Sequence, residues 1–244
     1  MTNLIRFLLD DCLPPILRDR RSLISLVAKV YCGAGSRHFG VDFKRRVEGL
    51  PQEQVARFYE AAAGCDGDRV RASDMTREET DRVIEYVEGD SVLEVGAGAG
   101  DLAQELASTG RFVVPVDLKP SPSGSDDLHW CIAFADCLPF ADRSFDTVVA
   151  AHTLEHVVNF EAAVAELRRV AKRRIIVVVP KQRYYRYTVD YHLHFFPDRE
   201  QLVLRMGMPD YHCEIVTGDL FYVGFVNDSR CAAGSRAARG SSRF

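Results

Sequence analysis

Five short apolar runs, separated by segments of helical period, restrict this chain to one family of architectures. The runs are Ser91-Val92-Leu93-Glu94-Val95, Arg111–Val116, Cys131–Ala135, Thr147–Ala151 and Arg174–Val179. Between them, Leu102, Leu106 and Ala107, and later Phe160, Ala163, Val164, Leu167 and Val170, recur at the spacing of one helix face. Strands that read as near-continuous Val and Ile are buried on both faces, which requires helices on both sides of a parallel sheet. The expected fold is therefore α/β, a doubly wound and mostly parallel seven-stranded sheet. Its last strands come from the aromatic-rich residues 181–227. Ligands of such sheets bind beyond the carboxyl ends of the strands.

Before the first run, Thr76 and Glu79 have capping-box spacing, with Val83, Ile84 and Val87 following on one face and Gly89 suited to the helix end. At 244 residues, with 47% hydrophobic and 27% charged residues, the chain has the size and composition of one globular domain plus an extension. We divide it into a helical N-terminal extension (1–72), the α/β domain (73–227) and a Gly/Ser/Arg-rich tail (228–244) expected to be disordered.

The net charge of −4 is unevenly spread. Residues 1–50 carry nine Lys/Arg against five Asp/Glu, and residues 228–244 four Arg against one Asp, so the body is acidic. An acidic body disfavours nucleic acid as a partner, because phosphate neutralisation needs a basic face. Seven scattered cysteines without two-residue spacing, and no secretory signal, fit a reducing cytoplasm. No apolar run is long enough to span a membrane.

The residues expected to carry chemistry lie at the strand ends. Glu94-Val95-Gly96-Ala97-Gly98-Ala99-Gly100 leaves a buried strand and enters a helix, where glycines let the backbone turn tightly and approach a ligand. The third Gly follows the second by two residues, not the three of a dinucleotide-binding loop, which disfavours a nicotinamide enzyme. Asp117 ends the second strand, 21 residues beyond Gly96, and Asp136 follows the third. Leu138-Pro139-Phe140, Ser144-Phe145-Asp146 and Leu154-Glu155-His156 complete the series.

In this order the elements resemble class I S-adenosylmethionine-dependent methyltransferases, over residues 74–180. The resemblance implies the Rossmann-like methyltransferase fold and S-adenosylmethionine as cofactor. It implies that Glu94 meets the methionine amino group, that Gly96 and Gly98, with Ala97 between them, line the methionine portion, and that Asp117 holds the ribose. Leu118 would pack on adenine, Asp136 would take its amino group, the backbone N–H of Cys137 would meet the ring, and the carbonyl near His152 would touch the amino group. A weaker similarity, carried by Leu13–Asp19, Asp42-Phe43-Lys44, Phe58-Tyr59 and the Pro180–Phe196 stretch, is to bacterial methyltransferases of cell-surface polysaccharide biosynthesis.

An S-adenosylmethionine enzyme mainly aligns and desolvates its partners, and a hydroxyl acceptor also needs a base, worth typically about 10²–10⁴-fold. His192 and His194 are the first candidates for that base. His156 is another, though it reads first as a scaffold or helix-start residue. No metal ligand set is expected, since His192 and His194 lack an evident third partner. Tyr184, Tyr185, Tyr187 and Tyr191, interleaved with basic residues, form either an acceptor wall or a covering loop. The apolar N-terminal residues form either a lid or, as the lesser reading, a peripheral membrane contact. The expected activity is methyl transfer to a hydroxyl of a small molecule or glycan. N- or C-methylation of a natural product, and an inactive S-adenosylmethionine-binding partner protein, are the alternatives. The oligomeric state is not legible.

Overall fold

The computed structural model describes residues 12–32, 41–63, 75–119, 128–187 and 191–226. The expected tail over 228–244 and the first apolar run of the chain lie outside them. Among the described residues, four helices precede the sheet domain: α1 (Pro15–Arg18), α2 (Arg21–Cys32), α3 (Phe43–Val47) and α4 (Gln52–Ala63). The domain then runs α5 (Arg77–Tyr86), β1 (Ser91–Val95), α6 (Asp101–Ser108), β2 (Phe112–Asp117), β3 (Cys131–Ile132), β4 (Phe145–Ala151), α7 (Phe160–Val170), β5 (Ala171–Pro180), α8 (Arg199–Met206), β6 (Tyr211–Val216) and β7 (Asp219–Phe225). No described helix is long and apolar enough to cross a membrane.

The seven strands form one sheet in the order β3-β2-β1-β4-β5-β7-β6. Strands β1 to β5 pair in parallel, as expected. The sheet is mostly parallel but mixed, since β7 lies antiparallel between β5 and β6 at one edge. The cause is local. Thr217 and Gly218 both have positive φ, 48° and 100°, and a two-residue turn of that kind matches strand twist and closes a tight hairpin. The third strand is shorter than expected. Ile132 is 65% exposed at the sheet edge, and the chain turns after it into a bridge between Phe134 and Cys137.

Burial on both faces follows from the sequence pattern. In β5, Ile175, Val177 and Val179 enter one core with Phe160, Leu167, Leu202 and Met206 of α7 and α8. The alternate Ile176 and Val178 enter the other with Val83, Leu102 and Leu106 of α5 and α6. Each such buried side chain contributes about 1.5–3 kcal/mol relative to exposure. The Thr76–Glu79 capping box is formed, with Thr76 N–H donating to Glu79 Oε2 at 2.7 Å. Helix α5 ends at Tyr86 with Val87 as its cap, so Gly89, φ 82°, shapes the turn into β1 instead of closing the helix.

Strand order reverses at β1, with β2 on one side and β4 on the other. Reversal leaves a crevice at the carboxyl ends of these strands, because consecutive connections depart in opposite directions. The first four helices pack against the segment that follows β5. Tyr185 is 2% exposed beside Ile24 and Val41, and Phe43, Phe58 and Tyr59 surround Tyr191. The Arg18 guanidinium donates to the Tyr184 carbonyl at 2.8 Å and stacks 4.6 Å from the Tyr185 ring centroid. The tyrosine-rich segment is thus the docking surface of the N-terminal helices.

Candidate active site

The turn after β1 is bound to the end of β2. Gly96 and Ala97 N–H both donate to the Val116 carbonyl, at 2.8 and 3.0 Å. Gly98 N–H donates to Asp117 Oδ2 at 2.8 Å, and Lys119 N–H reaches Asp117 Oδ1 at 3.3 Å. The glycines of the turn have positive φ. Gly96 has φ 76°, and a Cβ there would collide with the Thr153 side chain, whose hydroxyl ties Val95 to Ala151. Gly98 has φ 55° and faces open space, so its backbone is available to a ligand.

Glu94, the penultimate residue of β1, is 4% exposed, and its Oε2 has no hydrogen-bond partner among the described residues. Burial pushes its carboxyl up to about 8, with the Asp117 charge adding to the effect and an Ala103 backbone hydrogen bond opposing it. A cationic group placed beside Glu94 would reverse the balance.

The adenine-side residues are half-buried apart from Cys137, which is exposed. Asp136 Oδ1 accepts from Gln52 Nε2 at 2.7 Å, so the first residue of α4 reaches this carboxylate. Leu118 directly follows Asp117. The Cys137 N–H donates to the Phe134 carbonyl at 3.0 Å, so the contact to a bound ring expected of it competes with a bond already made.

The end of β4 carries the remaining candidates. His152 sits at φ 49°, its N–H donating to the Val178 carbonyl at 2.8 Å. Its ring lies between two carboxylates, with Nδ1 3.5 Å from Glu155 Oε1 and Nε2 3.5 Å from Asp219 Oδ2. The His156 ring meets the His192 ring edge-on at 4.8 Å and the Tyr59 ring at 5.4 Å. Tyr59 OH lies 3.0 Å from the His156 carbonyl and 2.9 Å from the Tyr191 carbonyl. Burial and the Glu155 charge hold its phenol well above the usual range.

The two histidines of the following segment part company. His192 turns to Gln182 and His156. His194 turns away: its Nε2 donates to the Val157 carbonyl at 2.9 Å, its Nδ1 accepts from Arg205 at 3.2 Å, and burial with the Arg205 charge lowers its basicity. The structure therefore brings His156 and His192 together and holds His194 apart. Sequence reasoning missed Glu155, Gln182 and Tyr59. The signal for Glu155 was a carboxylate inside the apolar Leu154-Glu155-His156 turn. Tyr59 and Gln182 lay in stretches singled out only for a family similarity, and nothing local assigned either a place in the site.

A hollow of about 600 Å³ lies at the opposite end of the sheet, lined by Glu88, Arg143, Asp146, Lys172 and Arg173 among others. Charges in its lining are paired, as in Arg173–Glu88 at 3.1 Å and Lys172–Asp146 at 3.6 Å.

Residues 93–179 match the sequence family described as a methyltransferase domain. The demethylmenaquinone methyltransferase of Corynebacterium urealyticum is 37% identical over 99 residues, covering 39% of this chain and 43% of the relative. That of Renibacterium salmoninarum is 34% identical over 131 residues, covering 50% of this chain and 55% of the relative. The chain thus spans about half the length of these curated relatives. Among solved structures, the 1,6-didemethyltoxoflavin-N1-methyltransferase of Burkholderia thailandensis, crystallised with 1,6-didemethyltoxoflavin and S-adenosylhomocysteine, shares the fold. Its TM-score is 0.59 at 16% identity, covering 72% of this chain and 89% of that one. Residues 93–179, with their strand order and glycine turn, are thus similar to a methyltransferase domain, and the chain shares the fold of that solved structure.

Proposed function

We propose that the protein transfers a methyl group from S-adenosylmethionine to an acceptor activated through an ionised hydroxyl, with a ring carbon of a quinol-like molecule as the first acceptor class. One observation carries this reading. The carboxyl ends of β1 and β2 hold a buried carboxylate with one unpartnered oxygen beside a Gly98–Asp117 clamp, the turn after β4 adds Glu155 and His156, and the segment after β5 adds His192.

The cofactor brings an activated methyl group on a sulfonium. The chain's own residues bind, orient and exclude water. Glu94 receives the amino group, which favours its charged form. Asp117 accepts from the ribose hydroxyls, and Asp136 takes the adenine amino group once Gln52 yields it. Helix α4 touches Asp136 through Gln52 and His156 through Tyr59, so it reaches from the nucleoside end of the crevice to the acceptor end and acts as a cover. His156 or His192 accepts the hydroxyl proton.

Ionising a phenolic hydroxyl makes both its oxygen and the ring carbons nucleophilic, so one base serves C- and O-methylation alike. The demethylmenaquinone methyltransferases named above favour carbon over the glycan hydroxyl expected from sequence. Transfer of labelled methyl to a reduced demethylnaphthoquinone, a catechol and a sugar panel tests this. Label on the naphthoquinol ring carbon is expected. Tight S-adenosylmethionine binding without transfer to any of them would instead support a non-catalytic binding partner.

A further inference from the structure

We propose that Glu155, His156 and His192 form a binding site for one divalent metal ion of the zinc class. Each residue offers one donor atom, and the three atoms lie within 4.8 Å of one another. Ligand atoms around zinc stand about 3.4 Å apart at the usual bond lengths, so side-chain adjustments of about an ångström close the site.

Three features distinguish this cluster from an incidental group of polar side chains. First, Glu155 is 1% exposed and neither of its carboxylate oxygens has a hydrogen-bond partner among the described residues. His152 Nδ1 at 3.5 Å and His156 Nε2 at 4.0 Å both face Oε1 without forming a hydrogen bond to it. A buried carboxylate left in that state is costly, and a coordinated cation removes the cost.

Second, both imidazoles are oriented as metal ligands are. His192 Nδ1 lies 2.7 Å from the Gln182 side-chain oxygen, and His156 Nδ1 lies 3.3 Å from the Tyr191 carbonyl. Each partner oxygen only accepts, which suits a protonated Nδ1 and makes Nε2 the nitrogen that would face the metal. A ligating histidine held by a carbonyl on its other nitrogen is the usual outer-shell arrangement.

Third, the backbone fixes the three residues relative to each other. The Glu155 carbonyl accepts from both Leu193 N–H, at 2.7 Å, and His194 N–H, at 3.0 Å, which binds the His192 segment to the turn after β4. Tyr59 OH adds a second tie between the His156 and Tyr191 carbonyls.

The neighbouring trio Glu79, His152 and Asp219 has the same composition but not the same state. Both Glu79 oxygens are already used, one by Thr76 N–H and one by the Thr217 hydroxyl. Two imidazoles and one carboxylate suit zinc, cobalt and their neighbours better than magnesium or calcium, which prefer oxygen alone. Such an ion would engage both Nε2 lone pairs, so in the metal-loaded protein coordination of the acceptor oxygen, in place of an imidazole base, would ease its ionisation; that role rests on the methyl-transfer reading, whereas the binding itself does not.

The test uses the full chain, freed of any histidine tag and stripped with chelator. Zn²⁺ is titrated calorimetrically, and Co²⁺ is followed by its visible absorption. One ion per chain is expected, with a cobalt spectrum lacking the intense near-ultraviolet thiolate band. Glu155→Gln and His192→Ala should each weaken binding at least 100-fold, and Gln182→Ala by about 10–100-fold through the outer shell. His194→Ala should leave it unchanged. Thermal unfolding confirms that each variant folds, and His192→Asn replaces any that does not. No binding at 100 µM metal (a chosen ceiling of about 5.5 kcal/mol), or equal affinity in folded Glu155→Gln and His192 variants, would overturn the site. S-adenosylmethionine affinity, measured on the metal-free protein, reports separately on the cofactor reading.

Discussion

The buried Glu94 carboxyl makes both stability and cofactor binding depend on a proton. Its value, about 8 in the folded chain against an ordinary 4.5, means that the folded state keeps a proton the unfolded state has lost between those limits. With more protons bound when folded, stability falls as pH rises through this window, then levels off above about 8. Each pH unit inside the window costs on the order of 1 kcal/mol, so the step from pH 5 to pH 7 costs about 3 kcal/mol. Glu94→Gln keeps the shape and cannot ionise, so its urea-unfolding free energy should lack this component. The wild-type minus variant difference isolates it from other titrating groups. The same proton must leave when a cationic amino group docks on Glu94. Calorimetry of S-adenosylmethionine binding at pH 6.5 in buffers of different ionisation enthalpy should then show close to one proton released, and none in Glu94→Gln. Binding without proton release in the wild type, or the same release in the variant, would refute the assignment of Glu94 to the amino group.

Three further outcomes follow from the geometry. Gly96→Ala places a methyl against the Thr153 side chain at a positive φ, and should lower stability by about 1–3 kcal/mol in chemical denaturation while loosening the cofactor turn. Glu79→Ala removes one half of the capping box and the contact to Thr217, and should cost about 0.5–2 kcal/mol in thermal unfolding with cofactor affinity unchanged. Gln52→Ala frees Asp136 from its hydrogen bond to α4, and should raise S-adenosylmethionine affinity about fivefold, the worth of one such bond, as read by calorimetry.

The sheet was legible in the sequence because its signal is local. Runs such as Val92–Val95 and Ile175–Val179 must be buried on both faces, and Thr76 with Glu79 announces a helix start within four residues. The glycine turn and its distant acids were legible for the same reason: Gly98 and Asp117 sit at strand ends whose positions the runs define. What stayed hidden depends on contacts between segments far apart in the chain. Nothing near Gln52 points to Asp136, and nothing near Tyr59 points to His156. The alternation of His192 and His194 suggested two rings aimed one way. In the structure the segment is instead pinned through its backbone to Glu155, and Arg205 draws His194 aside. The antiparallel place of β7 was equally invisible, because it depends on the Thr217-Gly218 turn and on the free edge of β5.

The central claim is that the turn after β1 and the acid ending β2 hold one nucleoside cofactor together, and calorimetric titration of the purified chain with S-adenosylmethionine tests it most directly. One site per chain is expected, with Asp117→Ala weakening it at least tenfold while the unfolding midpoint stays within a few degrees. An absence of binding at millimolar cofactor, or undiminished affinity in a folded Asp117→Ala protein, would contradict it.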